Sequence, residues 1–288
     1  MLTWVFRASA DSVAVWDRTQ RRLTVIDAAL RGARYAPVEP PWEPVGFWDP
    51  ETVIAFAIDR TPPSNIGVRG ALVRHPVHVA SITVATGAVD TIATLGGPEL
   101  WLWPGGSSIA RSGYRSFPIA VAGEFLAVGS QDSNEFLTYR GATSEPHPTV
   151  TTTAPVPTTE AFKDWAGGRR RAQFDWPSQL PAYGAFRPSA DGGVWVRDPV
   201  GLEGASSTWT LYQLDEPTAR VALPIRFIPL DFGARWVLGV TADELDVEYV
   251  RFLPLIESQI LVPDTSGDEG LLLFLGPRPA CGVHWPFR

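Results

Sequence analysis

The chain is poor in the residues from which disulfides, zinc sites and imine chemistry are built. It has one cysteine, Cys281, so no disulfide can form within it, and only four histidines. Its single lysine, Lys163, is the one candidate for Schiff-base chemistry. No apolar run reaches the length of a membrane-spanning helix. A structural zinc site and a membrane span are therefore not expected, and a large hydrophobic core has to supply the stability.

The charge balance is acidic, with a formal net charge of −7 and a pI near 5.2. An acidic chain repels phosphate backbones and anionic lipid headgroups, so neither a nucleic acid nor a membrane surface is expected as a partner. The first residues, Met1–Phe6, lack the basic segment and cleavage site of a signal peptide. We therefore expect either a cytoplasmic protein or a chain that begins inside a longer precursor.

Residues 191–224 show the pattern of antiparallel β structure most clearly. β-Branched and aromatic residues fill Val194–Val196 and Trp209–Leu214, as suits a half-buried pleated surface. In the second run, odd-numbered and even-numbered residues are predicted to lie on opposite faces of one strand. Turn residues flank these runs, at Asp191–Gly193 and Asp215–Pro217. The stretch predicts a three-stranded antiparallel meander.

The same strand–turn–strand pattern recurs along the chain in about five units. Repeated antiparallel meanders are typical of β-propellers, so we predict an all-β propeller of four-stranded antiparallel blades. A jelly roll or a β-sandwich is the alternative, although those folds rarely repeat one pattern. The second strands of the five units open near Asp11, Glu51, Gly123, Gly192 and Ala234.

A single propeller domain is expected to span residues 1–288. The Thr- and Pro-rich stretch 143–181 predicts an insertion between blades, in which Thr159 is placed to cap a short helix. Residues 258–288 predict an irregular tail, and the apolar run Leu271–Leu275 is a candidate closing strand within it.

Several phrases of the sequence resemble bacterial six-bladed β-propeller proteins of unknown function, which are distant relatives of the NHL-repeat group. The phrases are GGVWVRDP, WTLYQLDEPTARVALP and WVLGVTADELDVEYVRFLPL, and those resembling further blades are DSVAVWDRTQRRLTVID and FPIAVAGEFLAVGSQDSNEFLTYRG. The resemblance covers most of residues 11–257 and implies a six-bladed ring. Members usually begin with an export or lipoprotein signal and an extra N-terminal blade. The resemblance therefore also implies an exported, periplasmic or lipoprotein location, and a chain that is short at its N-terminus.

An aspartate ends the second strand of each predicted unit. In a propeller the turns from second to third strands lie on one face, so these carboxylates predict an acidic rim that could bind a cation or a basic ligand. The alternative is local, since aspartate side chains commonly accept hydrogen bonds from the following main chain and hold a turn. The five candidates are Asp17, Asp59, Asp132, Asp198 and Asp243.

Two pairs of neighbouring charged residues on this rim are the predicted ligand contacts: Arg197 with Asp198, and Asp243 with Glu244. The second pair opens a dense acidic run, Asp243–Glu248. Carboxylates at alternate positions where a strand begins share a face, which suits calcium. A solvated turn is the alternative. No cofactor is expected apart from calcium.

Two functions from different classes fit these features. The first is a non-enzymatic binding or scaffold propeller that recognises a small ligand, a peptide or a protein at one face. The second is a calcium-dependent lactonase-type hydrolase, which needs carboxylates and an asparagine that converge on the central channel. The chain supplies the acids but has only two asparagines, Asn65 and Asn134, which counts against the hydrolase. The fold alone does not decide between the two.

Overall fold

The computed structural model describes residues 3–9, 11–27, 29, 32–60, 71–103, 108–109, 114–141, 145–151, 153, 156–167, 175–189, 192–199, 206–213, 216–243 and 245–255. Within these residues the chain forms five antiparallel sheets and one helix. In each sheet the strands lie side by side in the order in which they occur in the sequence. Every sheet is therefore a meander, as the repeated pattern predicts.

Sheets 1 to 3 come from the first part of the chain. Sheet 1 contains β1 (Thr3–Ser9), β2 (Ser12–Asp17), β3 (Arg22–Asp27) and β4 (Ala33–Pro37). Sheet 2 contains β5 (Glu43–Asp49), β6 (Thr52–Ile58), β7 (Ala71–Thr83), β8 (Val89–Leu102) and β9 (Ser108–Ile109). Sheet 3 contains β10 (Ile119–Ala122), β11 (Phe125–Val128), β12 (Glu135–Arg140) and β13 (His147–Val150).

Sheets 4 and 5 follow a long connection that holds the helix α1 (Glu160–Gly167). Sheet 4 contains β14 (Phe186–Pro188), β15 (Val194–Arg197), β16 (Ser206–Gln213) and β17 (Glu216–Pro224). Sheet 5 contains β18 (Phe227–Gly233), β19 (Trp236–Ala242) and β20 (Glu248–Pro254).

Hydrophobic cores lie between consecutive sheets, because both faces of each inner sheet carry buried apolar side chains. The first strands also follow one another, since β1 lies beside β5, β5 beside β10, β10 beside β14, and β14 beside β18. The sheets are therefore stacked face to face with their first strands innermost, and the prediction of an all-β propeller is confirmed. Representative core pairs are Trp16 with Val53, Ile54 with Leu126, Phe136 with Tyr212, and Trp209 with Phe232.

The alternation predicted for the strand after Trp209 is also confirmed. Trp209 and Leu211 pack in the core towards sheet 5, whereas Tyr212 packs in the core towards sheet 3. A side-chain period of two on a strand buried on both faces accounts for this division.

The outer faces of the first and last sheets differ from the faces between sheets. On sheet 5, Val250 and Phe252 are 57% and 56% exposed, and the ring of Phe252 stacks on Trp236 at 5.2 Å. On sheet 1, Val5 and Tyr35 are 66% and 61% exposed. In the described part of the chain, these two apolar faces are therefore not packed against each other.

Two boundaries differ from the sequence-based expectations. The turn predicted over Asp215–Pro217 is shorter, because Glu216 and Pro217 already belong to β17. A register shift between Leu211 and Tyr212 accommodates Pro217, which has no N–H to give to the ladder. The strand β13 lies inside the stretch 143–181 expected as an insertion, so the connection to sheet 4 begins only after Val150.

The predicted helix cap is present. Thr159 Oγ1 accepts a hydrogen bond from the Phe162 N–H at 3.2 Å, and Phe162 is buried. A short ribbon holds the base of this connection, in which Thr158 N donates to Ser178 O at 3.0 Å and Leu180 N donates to Val156 O at 2.8 Å. Across the described residues, no helix has the length and apolar character that a membrane crossing needs.

Candidate ligand-binding face

Strand direction alternates within each meander, so the connections from second to third strands all lie at one edge of the sheet array. We call this edge the upper face. β7 and β8 extend beyond it, because β6 ends opposite Val77 while β7 and β8 stay paired as far as Ala71 and Leu102. Residues 175–179 of the connection to sheet 4 lie against this extension. The upper face thus combines short turns with a raised wall.

All five rim aspartates lie on the upper face, and two of them hold their own turns. Asp17 Oδ1 accepts hydrogen bonds from the N–H groups of Thr19 and Gln20 at 2.9 and 3.0 Å. Asp243 Oδ1 accepts from Leu245 N and Val247 N at 2.8 and 3.0 Å. Hydrogen bonds from the Val247 N–H and from Tyr249 hold the pKa of Asp243 below its usual value.

Asp132 and Asp198 instead connect separate segments. Asp132 pairs with Arg74 of β7, and Asp198 accepts hydrogen bonds from Arg220 Nη2 at 2.6 Å and from Thr153 Oγ1 at 3.0 Å. These carboxylates are therefore neutralised within the protein.

Two further predicted contacts are Asp59 and Glu244. Asp59 directly follows β6, and its N–H donates to Pro76 O at 2.9 Å. Glu244 lies outside the described residues. Within the acidic run Asp243–Glu248, Asp246 has a φ of 58° and its N–H donates to Asp243 O at 3.2 Å, and β20 begins only at Glu248. The strand-like alternation of carboxylates expected for calcium is thus not formed at Asp246.

No group of three or more His, Cys, Asp or Glu side chains suited to a metal ion occurs in the parts of the chain that the structure describes. Four of the five rim aspartates accept hydrogen bonds within the protein: Asp17 and Asp243 from their own turns, and Asp132 and Asp198 from arginines. The rim is therefore a set of separate turn and cross-link residues.

Gln131 forms a hub between sheets 3 and 4. It is 4% exposed and has a φ of 59°, in the left-handed region that non-glycine residues rarely adopt. Its N–H donates to Tyr183 Oη at 3.1 Å, its Nε2 donates to the carbonyl oxygens of Tyr183 and Gly184, and its Oε1 accepts from Ser116 N. Every polar group of the side chain is paired, which stabilises this backbone conformation.

Arg74 crosses from sheet 2 to sheet 3 beside this hub. Its Nε and Nη2 donate to the carbonyl oxygens of Gly97 and Gly96 at 3.0 and 3.1 Å, and its other contacts are Ser130 O and the carboxylate of Asp132. Although partial burial raises the pKa of Asp132, the hydrogen bonds from Arg74 and Ser130 lower it overall.

Arg115 and Glu99 form a second cross-link next to it. Glu99 is 5% exposed, and its two carboxylate oxygens accept from Arg115 Nη1 at 2.7 Å and from Arg115 N at 2.8 Å. Arg115 Nε donates to Gln131 O at 3.2 Å, which joins this pair to the hub. The Arg115 side chain is 34% exposed, so part of its guanidinium still faces solvent.

A cleft of about 290 Å³ opens beside this pair. Leu72, Glu99 and Arg115 line it together with residues 175–179 of the connection to sheet 4. Its volume is near the lower end of the range for small-molecule sites.

Aromatic rings support the cleft wall. Trp176 packs at 6.1 Å from Tyr114 and at 6.2 Å from Phe162 of α1, in tilted and edge-on arrangements. Trp101 and Tyr114 are buried below it. Trp176 itself is only partly buried, so it presents an aromatic surface beside the charged Arg115 and Glu99.

Two residues of the hub and its cross-links have shifted pKa values. Burial raises the pKa of Tyr183 to about 12, and the pKa of Asp132 is lowered. At neutral pH Tyr183 therefore keeps its proton and Asp132 stays charged.

The sequence pattern did not point to Glu99, Arg115, Gln131 or Trp176, because they come from separate segments and form no short motif. One signal was available in Gly96, which lies within a strand. A Cβ there would lie 2.5 Å from Arg74 Cζ, so the close approach of the guanidinium requires glycine.

No protein-family model matches the chain, and no curated protein matches it. Among solved structures it is similar to an oligogalacturonate lyase from Vibrio parahaemolyticus, at 11% identity over 86% of this chain and 76% of that one, with a TM-score of 0.37. It is also similar to a PQQ-bound aldose sugar dehydrogenase from Streptomyces coelicolor, at 14% identity over 88% of this chain and 98% of that one, with a TM-score of 0.30. A third similar structure is a calcium-binding regucalcin from Agrobacterium tumefaciens, at 11% identity over 87% of this chain and 91% of that one, with a TM-score of 0.26. The propeller fold is assigned from the strand order and the stacking of the chain's own sheets.

Proposed function

We propose that this protein is a non-enzymatic binding propeller that holds a small polar ligand, a peptide or a glycan in the cleft of the upper face. The observation that carries the proposal is the cleft itself, which Glu99, Arg115 and Trp176 line together. Such a mixture of one aromatic surface and a few fixed polar groups is what a ligand site needs for affinity and orientation.

The cleft is also held rigidly. Arg115 is fixed by Glu99 and by the Gln131 carbonyl, and Gln131 is fixed in turn by Tyr183 and Gly184. Preorganised groups lose little conformational entropy when a ligand binds, so this network supports recognition. The calcium-dependent hydrolase has no comparable support, because the described residues contain no group of three or more His, Cys, Asp or Glu side chains that suits a metal ion.

A ligand screen with matched tryptophan variants tests the proposal. Panels of oligosaccharides, short peptides and organic acids are screened by thermal unfolding, and each compound that raises Tm is tested again on Trp176→Ala and Trp165→Ala. Trp165 is 58% exposed on α1 and does not line the cleft, so it controls for loss of a tryptophan from the same segment.

We expect the Tm shift to be lost in Trp176→Ala and kept in Trp165→Ala. Shifts that survive in both variants would place the ligand elsewhere. Conversion of a bound compound into product, followed by NMR, would make the protein an enzyme and overturn the proposal.

We also propose that the complete ring has six blades, as the resemblance to bacterial, NHL-like propellers implies. What supports this is the exposure of the apolar outer faces of sheets 1 and 5, which suits a further sheet between them. A crystal structure of the protein tests it: a sixth sheet between these faces is expected, and direct packing of sheet 5 on sheet 1 contradicts it.

A further inference from the structure

Sheet 4 carries two arginines on the side that faces sheet 5. Arg187 of β14 lies opposite Trp195 of β15, and the Arg197 N–H donates to Ala185 O at 2.9 Å. Because side chains alternate along a strand, Arg197 shares the face of Trp195, which packs in the core towards sheet 5. The two arginines are therefore diagonal neighbours across the strand pair, with Cα atoms roughly 7–8 Å apart.

Arg197 has an unusual environment for a cation. Its Nε is buried, and no acceptor among the described residues lies within hydrogen-bond distance of it. The guanidinium rests on the main chain at Gly184, where an added Cβ would lie 2.4 Å from Arg197 Nε. Only glycine at position 184 leaves room for this arrangement.

Two carbonyl groups hold Arg187 in place. Its Nε donates to Pro229 O and its Nη1 donates to Phe186 O, both at 2.8 Å. In the described part of the chain neither Arg187 nor Arg197 forms an ion pair. The nearest acid in sequence, Asp198, is already paired with Arg220.

Burial lowers the pKa of both arginines, and the charge of Arg197 lowers that of Arg187 further. Two partly buried like charges that have no ion-pair partner among the described residues destabilise the folded state. An anion placed between them would relieve both the desolvation and the mutual repulsion, and guanidinium groups offer several donors to an oxyanion.

We propose that Arg187 and Arg197 form a binding site for an oxyanion, the carboxylate or phosphate group of a small ligand, between sheets 4 and 5. The site is separate from the cleft of the upper face, since neither arginine lines that cleft. It does not depend on the function proposed for the cleft.

The test compares inorganic phosphate, acetate and chloride at matched ionic strength. Thermal unfolding is measured for the unmodified protein, for Arg197→Met and for Arg251→Met, which removes an exposed arginine of β20. Phosphate stabilises most proteins weakly by exclusion from their surface, so the comparison with Arg197→Met isolates the specific part.

We expect phosphate or acetate to raise Tm by about 2–4 °C more than chloride in the unmodified protein and in Arg251→Met, and not in Arg197→Met. A response to acetate alone identifies a carboxylate ligand, and a response to phosphate alone identifies a phosphate. An equal rise in all three proteins, or no rise in the unmodified protein, overturns the proposal.

Phosphorus-31 NMR of inorganic phosphate with the unmodified protein gives a readout that needs no folded variant. Saturable line broadening is expected. A phosphate linewidth that does not respond to the protein, together with no shift from acetate, removes the site.

Discussion

Two sets of arginines on the upper part of the molecule lie on opposite sides of the Gln131 hub and have opposite surroundings. Arg74 and Arg115, between sheets 2 and 3, each bind a carboxylate. Arg187 and Arg197, between sheets 4 and 5, have carbonyl or main-chain neighbours and no carboxylate partner among the described residues. The residue type is the same, but the charge is neutralised in one set and left available in the other.

The difference determines how much each charge contributes to the stability of the fold. A buried ion pair with both partners present holds segments in register, and loss of one partner leaves an uncompensated charge. A buried arginine without a partner adds nothing to the cohesion of the fold by its charge. Substitutions in the two sets should therefore have effects of very different size.

The largest effect is expected from Arg115→Met. The substitution leaves Glu99, which is 5% exposed, without its ion-pair partner. We expect a loss of about 3 kcal/mol in the free energy of unfolding, at the low end for a broken buried pair because Arg115 is itself partly exposed. Urea-induced unfolding monitored by far-UV circular dichroism measures it.

Arg34→Met is the matched control, since it breaks the Arg34–Glu51 pair, whose side chains are 55% and 62% exposed. Here we expect a change below about 0.5 kcal/mol. Equal losses for the two variants would show that the Arg115–Glu99 pair is no more than a surface contact.

A smaller loss is expected from Tyr183→Phe, which removes one supporting group of the hub. Tyr183 Oη accepts from the Gln131 N–H and donates to Glu135 O at 3.0 Å, so the variant leaves two polar groups without their partner. We expect the free energy of unfolding to fall by about 2 kcal/mol, measured by urea-induced unfolding. A loss under about 0.5 kcal/mol would mean that water replaces the hydroxyl group and that the hub is not closed to solvent.

Tyr183 also makes the stability of the folded protein sensitive to alkaline pH. The pKa of Tyr183 is raised from 10.0 to about 12, so the folded protein keeps a proton that the unfolded chain releases. Its contribution to stability is present in full below pH 10 and is lost as the pH rises through about 12. Between these values the unmodified protein should lose stability more steeply than Tyr183→Phe, and parallel curves would assign the alkaline loss to other groups.

The fold could be predicted from the sequence to the extent that it depends on local pattern. Alternation along Trp209–Gln213 identified the two faces of β16, and Thr159 marked the start of α1. The cleft could not be predicted, because Glu99 and Arg115 meet Trp176 only through the stacking of sheets and the return of a long connection. Arg197 was predicted as a ligand contact through its neighbour Asp198, whereas its burial against Gly184 depends on tertiary packing.

A near-zero effect is expected from Arg197→Met in chloride buffer. Methionine keeps most of the packing of the arginine stem and removes a partly buried charge that forms no ion pair among the described residues. We expect the free energy of unfolding to change by less than about 0.5 kcal/mol, or to rise. A loss above about 2 kcal/mol in urea unfolding would show that Arg197 belongs with Arg115 as a structural residue, and the contrast between the two sets would disappear.

The smallest effect is expected from calcium. Asp17 Oδ1 and Asp243 Oδ1 each accept two hydrogen bonds from turn N–H groups, and Asp132 and Asp198 are paired with Arg74 and Arg220. A cation would have to displace these partners, so thermal unfolding should give the same Tm with a chelator and with millimolar calcium. A ligand at about 100 times its dissociation constant adds roughly 2.7 kcal/mol, which such a measurement detects easily. A clear rise in Tm that disappears in Asp132→Asn would instead assign the rim a metal and return the hydrolase to consideration, because the Arg74 pair would then be the part of the network that opens.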